Sequence, residues 1–125
     1  MIGYVTLGTN DLERATAFYD DLLALVGARR FMEDPGHFVA WATGPEQPAL
    51  SVTRPFDGNP ASVGNGVMVA LAVDSKERVH EVYDRAIALG ARDEGPAGPR
   101  FEGFYAGYFR DLDGNKLNVF CMAEE

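Results

Sequence analysis

Residues 4–29, YVTLGTNDLERATAFYDDLLALVGAR, return as residues 68–92, MVALAVDSKERVHEVYDRAIALGAR. At an offset of 64 positions, Val5, Leu7, Glu13, Arg14, Tyr19, Asp20, Ala24 and Leu25 meet Val69, Leu71, Glu77, Arg78, Tyr83, Asp84, Ala88 and Leu89. Average residue frequencies would give roughly one or two such identities by chance. A one-residue adjustment then aligns Gly27-Ala28-Arg29 with Gly90-Ala91-Arg92. The chain is read as two copies of one supersecondary unit.

Working outward from the repeat, each copy opens on a strand, Tyr4 to Leu7 and Val67 to Val73, rich in β-branched and apolar residues. A helix follows. Asn10 and Asp74 are expected as its N-caps, each with a glutamate three positions on, Glu13 or Glu77. Leu12, Ala15, Tyr19, Leu22, Leu23 and Val26 form one apolar stripe, and Val79, Val82, Tyr83, Ala86 and Ile87 the other. Gly27 and Gly90 stand where a left-handed residue ends a helix. Three extended runs complete each unit: about Ala28–Glu33, His37–Thr43 and Ala49–Thr53, then about Ala91–Glu94, Phe104–Arg110 and Lys116–Met122. Pro96 to Pro99 is expected to separate the fourth run from the fifth, and Asp111 to Asn115 to close the last hairpin.

The expected fold is therefore α+β: two βαβββ modules forming a curved mixed sheet, an open cup with the helices outside. All 125 residues are assigned to one domain, with module 1 at about 1–54, a linker at 55–66 and module 2 at about 67–125. With Val5 and Leu7 facing a helix, strand alternation sends Tyr4 and Thr6 the other way. The same parity places Met68, Ala70, Asn118 and Phe120 on the open face, with Ser51 as the counterpart of Asn118. Trp41 and Tyr108 are expected to complete this wall. Tyr4, Thr6, Trp41, Ser51, Met68, Tyr108, Asn118 and Phe120 are thus the candidate ligand-binding residues.

Bulk composition narrows the function. A net charge of −8 opposes nucleic-acid binding, and no basic stripe is present. No apolar run reaches the length of a membrane span, and the single cysteine, Cys121, excludes an internal disulfide, so a cytoplasmic location is expected. His37 and His80 form no metal-binding spacing. Cys121 is expected to be a buried, inert thiol. The glycines of Gly103–Gly107 lack the strand-then-helix setting of a phosphate loop. Arg54, Arg100 and Arg110 are candidate anchors for an anion, or for surface acids.

The opening Tyr4-Val5-Thr6-Leu7-Gly8-Thr9-Asn10-Asp11-Leu12-Glu13-Arg14-Ala15, the Phe18-Tyr19 pair and the closing Tyr108-Phe109-Arg110-Asp111-Leu112-Asp113-Gly114-Asn115-Lys116 resemble the vicinal oxygen chelate superfamily. That superfamily comprises glyoxalase I, bleomycin-resistance proteins, fosfomycin-resistance enzymes and extradiol dioxygenases. Leu112 stands where such hairpins usually carry proline. The resemblance implies metal ligands at the positions of Tyr4, Ser51, Met68 and Asn118, normally His, Gln or Glu, and none of these four is His, Asp or Glu. The expected function is binding of a small amphipathic or aromatic molecule with no metal and no cofactor. The alternatives are a lyase, isomerase or dioxygenase with atypical ligands, or acid–base chemistry by Tyr4 or Glu102, and a protein-interaction domain. The resemblance also implies a homodimer.

Overall fold

The computed structural model describes residues 1–122. It contains two compact units, Met1–Val63 and Gly64–Glu125, each built on one βαβββ module. In the first unit β1 (Tyr4–Gly8), α1 (Leu12–Ala24), β2 (Arg29–Asp34), β3 (Phe38–Ala42) and β4 (Ala49–Thr53) follow in order. In the second, β5 (Val69–Ala72) and α2 (Lys76–Ala88) precede β6 (Arg92–Phe101), β7 (Phe104–Arg110) and β8 (Lys116–Met122). The strands form two four-stranded sheets, ordered β1-β4-β3-β2 and β5-β8-β7-β6. In each sheet the first strand lies parallel to the last, and the remaining pairs are antiparallel. The duplication seen in the sequence is a duplication of topology.

One helix covers one face of each sheet. From α1, Leu12, Ala15, Phe18, Tyr19, Leu22 and Leu23 are buried, and Leu7, Val39, Leu50 and Val52 are buried in the same unit. From α2, Val79, Val82 and Ala86 are fully buried, as are Phe109, Leu117 and Val119. Alternation sends the intervening residues to the opposite face, which has no helix of its own. Gly107 in β7 shows how tightly α2 is seated: a Cβ there would lie 3.0 Å from the Tyr83 ring. Tyr83 also donates to Asp93 at 2.7 Å, and burial, reinforced by that carboxylate, pushes its pKa up to about 12.

The helix caps fall one residue later than the sequence suggests. Asp11 and Ser75 accept from the backbone N–H groups of Arg14 and Arg78, at 3.0 and 3.1 Å. Asn10 is engaged elsewhere. Its carboxamide accepts from Ala61 N–H at 2.6 Å and donates to Ala61 C=O at 3.3 Å, so it pins the segment that follows β4. Glu13 and Glu77 remain in the first turns, where a carboxylate complements the helix dipole. Both helices end as expected, with Gly27 at φ 81° and Gly90 at φ 105°.

A second difference concerns β6. The Pro96–Pro99 stretch does not interrupt it; the strand runs to Phe101 through three register shifts. Proline is tolerated because β6 is an edge strand, and its missing N–H removes no ladder bond on the outer side. The hairpin between β7 and β8 turns on Asp111, which is buried. Its Oδ1 accepts from the N–H groups of Asp113 and Asn115, each at 2.9 Å, and its Oδ2 from Asn115 Nδ2 at 3.0 Å.

Replacing Asp111 with alanine leaves those donors without their acceptor in a buried turn. Charge-assisted bonds of this kind support a loss of about 3 kcal/mol. Urea denaturation of Asp111→Ala should show this as a lower midpoint with an unchanged slope.

Candidate functional site

The open face of the first sheet holds a recess of about 470 Å³, lined by Tyr4, Thr6, Phe31, Met32, Phe38, Ala40, Ala49, Ser51 and Thr53. Strand register explains the grouping. Ser51 pairs with Thr6 on one side and Ala40 on the other, while Tyr4 pairs with Ala49 and Phe38 with Thr53. Small residues at Ala40, Ala49 and Ser51 leave the hollow, and they are themselves buried. Tyr4, Phe31 and Met32 rise around it and stay 71%, 56% and 53% exposed. Phe31 and Met32 are neighbours in sequence, which strict alternation would send to opposite faces. A register shift between Arg30 and Met32 lets both line the recess.

Three of the eight sequence candidates, Tyr4, Thr6 and Ser51, line this recess. Trp41 does not. It is 1% exposed on the helix side of β3, 5.7 Å from the Tyr19 ring, and its indole N–H donates to Asp20 Oδ1 at 2.8 Å. The reason is that β3 is apolar on both faces, so composition carries no parity signal there. Phe38 and Ala40 take the open side instead. Asp20 also accepts from Arg30 Nε at 2.9 Å and Nη2 at 2.6 Å, and Arg30 Nη1 reaches Glu33. The Arg30 hydrogen bonds hold the Asp20 carboxyl below its usual pKa, outweighing partial burial, and the Trp41 indole acts in the same direction.

The other four candidates belong to the second unit. Met68 lies one residue before β5 and is 42% exposed. Asn118 pairs in register with Ala70 of β5 and Tyr108 of β7, repeating the arrangement of Ser51 between Thr6 and Ala40. It is 1% exposed, and its Oδ1 has no hydrogen-bond partner among the described residues. Phe120 lies two residues on, stacked on Phe104 at 5.4 Å, which is in turn stacked on Phe101 at 4.8 Å. Tyr108 has Arg100 at 5.2 Å and Lys116 at 5.6 Å from its ring centroid. Thus Tyr4, Ser51, Met68 and Asn118 carry a phenol, a hydroxyl, a thioether and a carboxamide.

The remaining candidates have structural settings. Among the described residues, no three His, Cys, Asp or Glu side chains are grouped to hold a metal ion. His37 is an exposed turn residue 3.6 Å from Asp34. His80 is exposed on α2, with Nε2 2.6 Å from the Tyr105 hydroxyl. Cys121 is buried. Arg110 pairs with Glu94 at 3.4 Å, and Arg100 is bonded to the carbonyls of Pro96, Gly98 and Pro99. Arg54 borders a polar groove between α1 and β2–β3, away from the recess.

Asp20 gives a pH signature. A carboxyl with a depressed folded pKa stabilises above its unfolded value of about 3.9, and that stability is lost as pH falls through the folded value. Asp20→Asn should therefore be less stable than the parent at pH 7, by roughly 1 kcal/mol or less for so exposed a pair. The deficit should shrink below about pH 4, as checked by thermal melts at both pH values.

The model of the Glyoxalase/Bleomycin resistance protein/Dioxygenase superfamily matches residues 1–119. A glyoxalase/bleomycin resistance protein from Albidiferax ferrireducens T118 is 33% identical, covering 97% of this chain and 98% of that one, at a TM-score of 0.88. A lactoylglutathione lyase from Agrobacterium tumefaciens is 26% identical over 97% and 92% of the two chains, at a TM-score of 0.71. A genomically encoded fosfomycin resistance protein from Listeria monocytogenes shares the fold at 21% identity over 97% and 92%, with a TM-score of 0.73. No curated protein matches the chain. Duplicated βαβββ modules, a family match over nearly the whole length and a one-third-identical structure together make this chain a member of the glyoxalase/bleomycin resistance protein/dioxygenase superfamily.

Proposed function

We propose that this protein binds a small amphipathic or aromatic molecule against the open face of its first sheet, without a metal ion. The observation that carries the reading is the recess of about 470 Å³ with its apolar rim of Tyr4, Phe31, Met32 and Phe38. Its volume suits a drug-sized molecule, and the hydroxyls of Thr6, Ser51 and Thr53 offer a few orienting hydrogen bonds. Covering a half-exposed aromatic side chain returns about 2 kcal/mol at the usual area coefficient. Met32 adds an adaptable surface.

The donor chemistry supports the metal-free part. Mg²⁺, Mn²⁺, Fe²⁺, Ni²⁺ and Zn²⁺ take carboxylate or imidazole, whereas Tyr4 offers a phenol. Ser51 and Asn118 are neutral oxygen donors, and the Met68 thioether is soft. These residues do not fit a divalent cation. We extend the reading to a homodimer, as the resemblance implies, and to the cytoplasm, which the single cysteine suits. The likeness to a lactoylglutathione lyase favours a second reading, an enzyme with atypical ligands.

Two measurements decide between them. Elemental analysis of protein purified without chelator should find Ni, Zn, Fe and Mn far below one equivalent; a stoichiometric metal would favour the enzyme. Thr6→Trp should fill the recess from an exposed position and leave the fold intact. It should weaken binding of the neutral fluorescent dye Nile red, which has neither an N–H donor nor an anion, at least tenfold. Unchanged dye affinity in that variant would remove the first sheet as the binding face.

A further inference from the structure

The open face of the second sheet carries features that the recess of the first does not explain. Asn118 is almost wholly buried, yet its Oδ1 lacks a partner among the described residues. An acceptor in that state costs free energy in the unliganded protein unless something supplies a donor. Two residues earlier on the same face of β8 is Lys116, and two residues later is Phe120. Neighbours of equal parity stand roughly 6.5–7 Å apart. The strand therefore presents an ammonium, an amide oxygen and an aromatic ring in a row.

The flanks extend each of the three features. At the cationic end, Lys116 and Arg100 both lie against the Tyr108 ring, and neither has a carboxylate partner among the described residues. At the aromatic end, Phe120, Phe104 and Phe101 form a stack with interplanar angles of 21° and 2°. Phe101, the member of the stack farthest from Asn118, is 67% exposed. Between the ends, Ala70 pairs with Asn118 and Ala106 with Phe120, so side chains of minimal size border the row.

Resting on the reading that this is a small-molecule-binding protein, we infer that the second sheet holds its own site for an aryl amide acid. Its ligand carries a planar ring, an N–H donor and an anionic group, in that order. The ring packs against Phe120, the member of the phenylalanine stack two residues from Asn118, where offset aromatic packing is favourable. The N–H donates to Asn118 Oδ1. The anion meets Lys116 and Arg100, the Arg100 guanidinium being already held by the carbonyls of Pro96, Gly98 and Pro99. Entry requires Lys116 and Tyr108, the flexible and the bulky neighbours of Asn118, to turn aside. The ammonium then changes partner, from the Tyr108 ring to the carboxylate.

N-benzoylglycine contains the three groups in this order and serves as the probe, with binding read by isothermal titration calorimetry. Saturable binding is expected. The methyl ester (no anion), the N-methyl analogue (no donor) and N-acetylglycine (no ring) should each bind at least tenfold more weakly. Asn118→Leu should lower the affinity at least tenfold while leaving the melting temperature equal or higher, because it removes the orphaned acceptor at similar volume. Lys116→Gln should weaken binding and reduce its salt dependence. An N-methyl analogue that binds as well as the parent overturns the proposal, as does an Asn118→Leu protein that melts lower yet binds unchanged. Failure of every aryl amide acid at millimolar concentration, with dye binding at the first sheet intact and sensitive to Thr6→Trp, sinks this site alone. Loss of both sinks the broader reading as well.

Discussion

One helix per four-stranded sheet is the constraint from which the rest of this structure follows. A sheet has two faces, and α1 or α2 supplies enough apolar surface for one of them. Leu50 and Val52, or Leu117 and Val119, go to the helix, and the residues between them go to the face without one. On a purely structural sheet that second face would be polar and featureless. Here it bears Tyr4, Phe31 and Met32 in one unit and Phe101, Phe104 and Phe120 in the other. Apolar groups left in this position are the usual mark of a surface that meets something else.

The duplicated topology makes the two faces comparable position by position. Ser51 and Asn118 occupy the same central place, each between a first-strand and a third-strand neighbour. Around Ser51 the neighbours are Thr6 and Ala40, and the result is a hollow with hydroxyls on its floor. Around Asn118 they are Ala70 and Tyr108, and the result is a buried amide paired in register with a tyrosine whose ring has two cations against it. One backbone plan thus yields a neutral, apolar recess and a cationic, aromatic face. The difference lies wholly in side-chain choice at equivalent register.

Much of the fold was legible from residues alone. The repeat at 64 positions, the amphipathic helices, Gly27 and Gly90 and the alternation of β1, β4 and β8 all have local physical causes. Where the reading slipped, a non-local partner decided. Asn10 has a good capping side chain, but the Ala61 backbone claims it and Asp11 caps instead. Pro96 and Pro99 look like strand breakers until β6 proves to be an edge strand, where their missing N–H groups cost no pairing.

The sequence by itself determined which elements form and which residues alternate, because helix and strand periods act between near neighbours. It also determined the donor chemistry of Tyr4, Ser51, Met68 and Asn118, since residue identity settles what a side chain can coordinate. Tertiary structure decided which face of β3 meets the helix. Trp41 turned inward because Tyr19 gave its ring a neighbour and Asp20 its N–H an acceptor. Only the assembled second unit could bury Asn118 without giving its oxygen a partner, because burial and hydrogen-bond supply depend on strands distant in sequence.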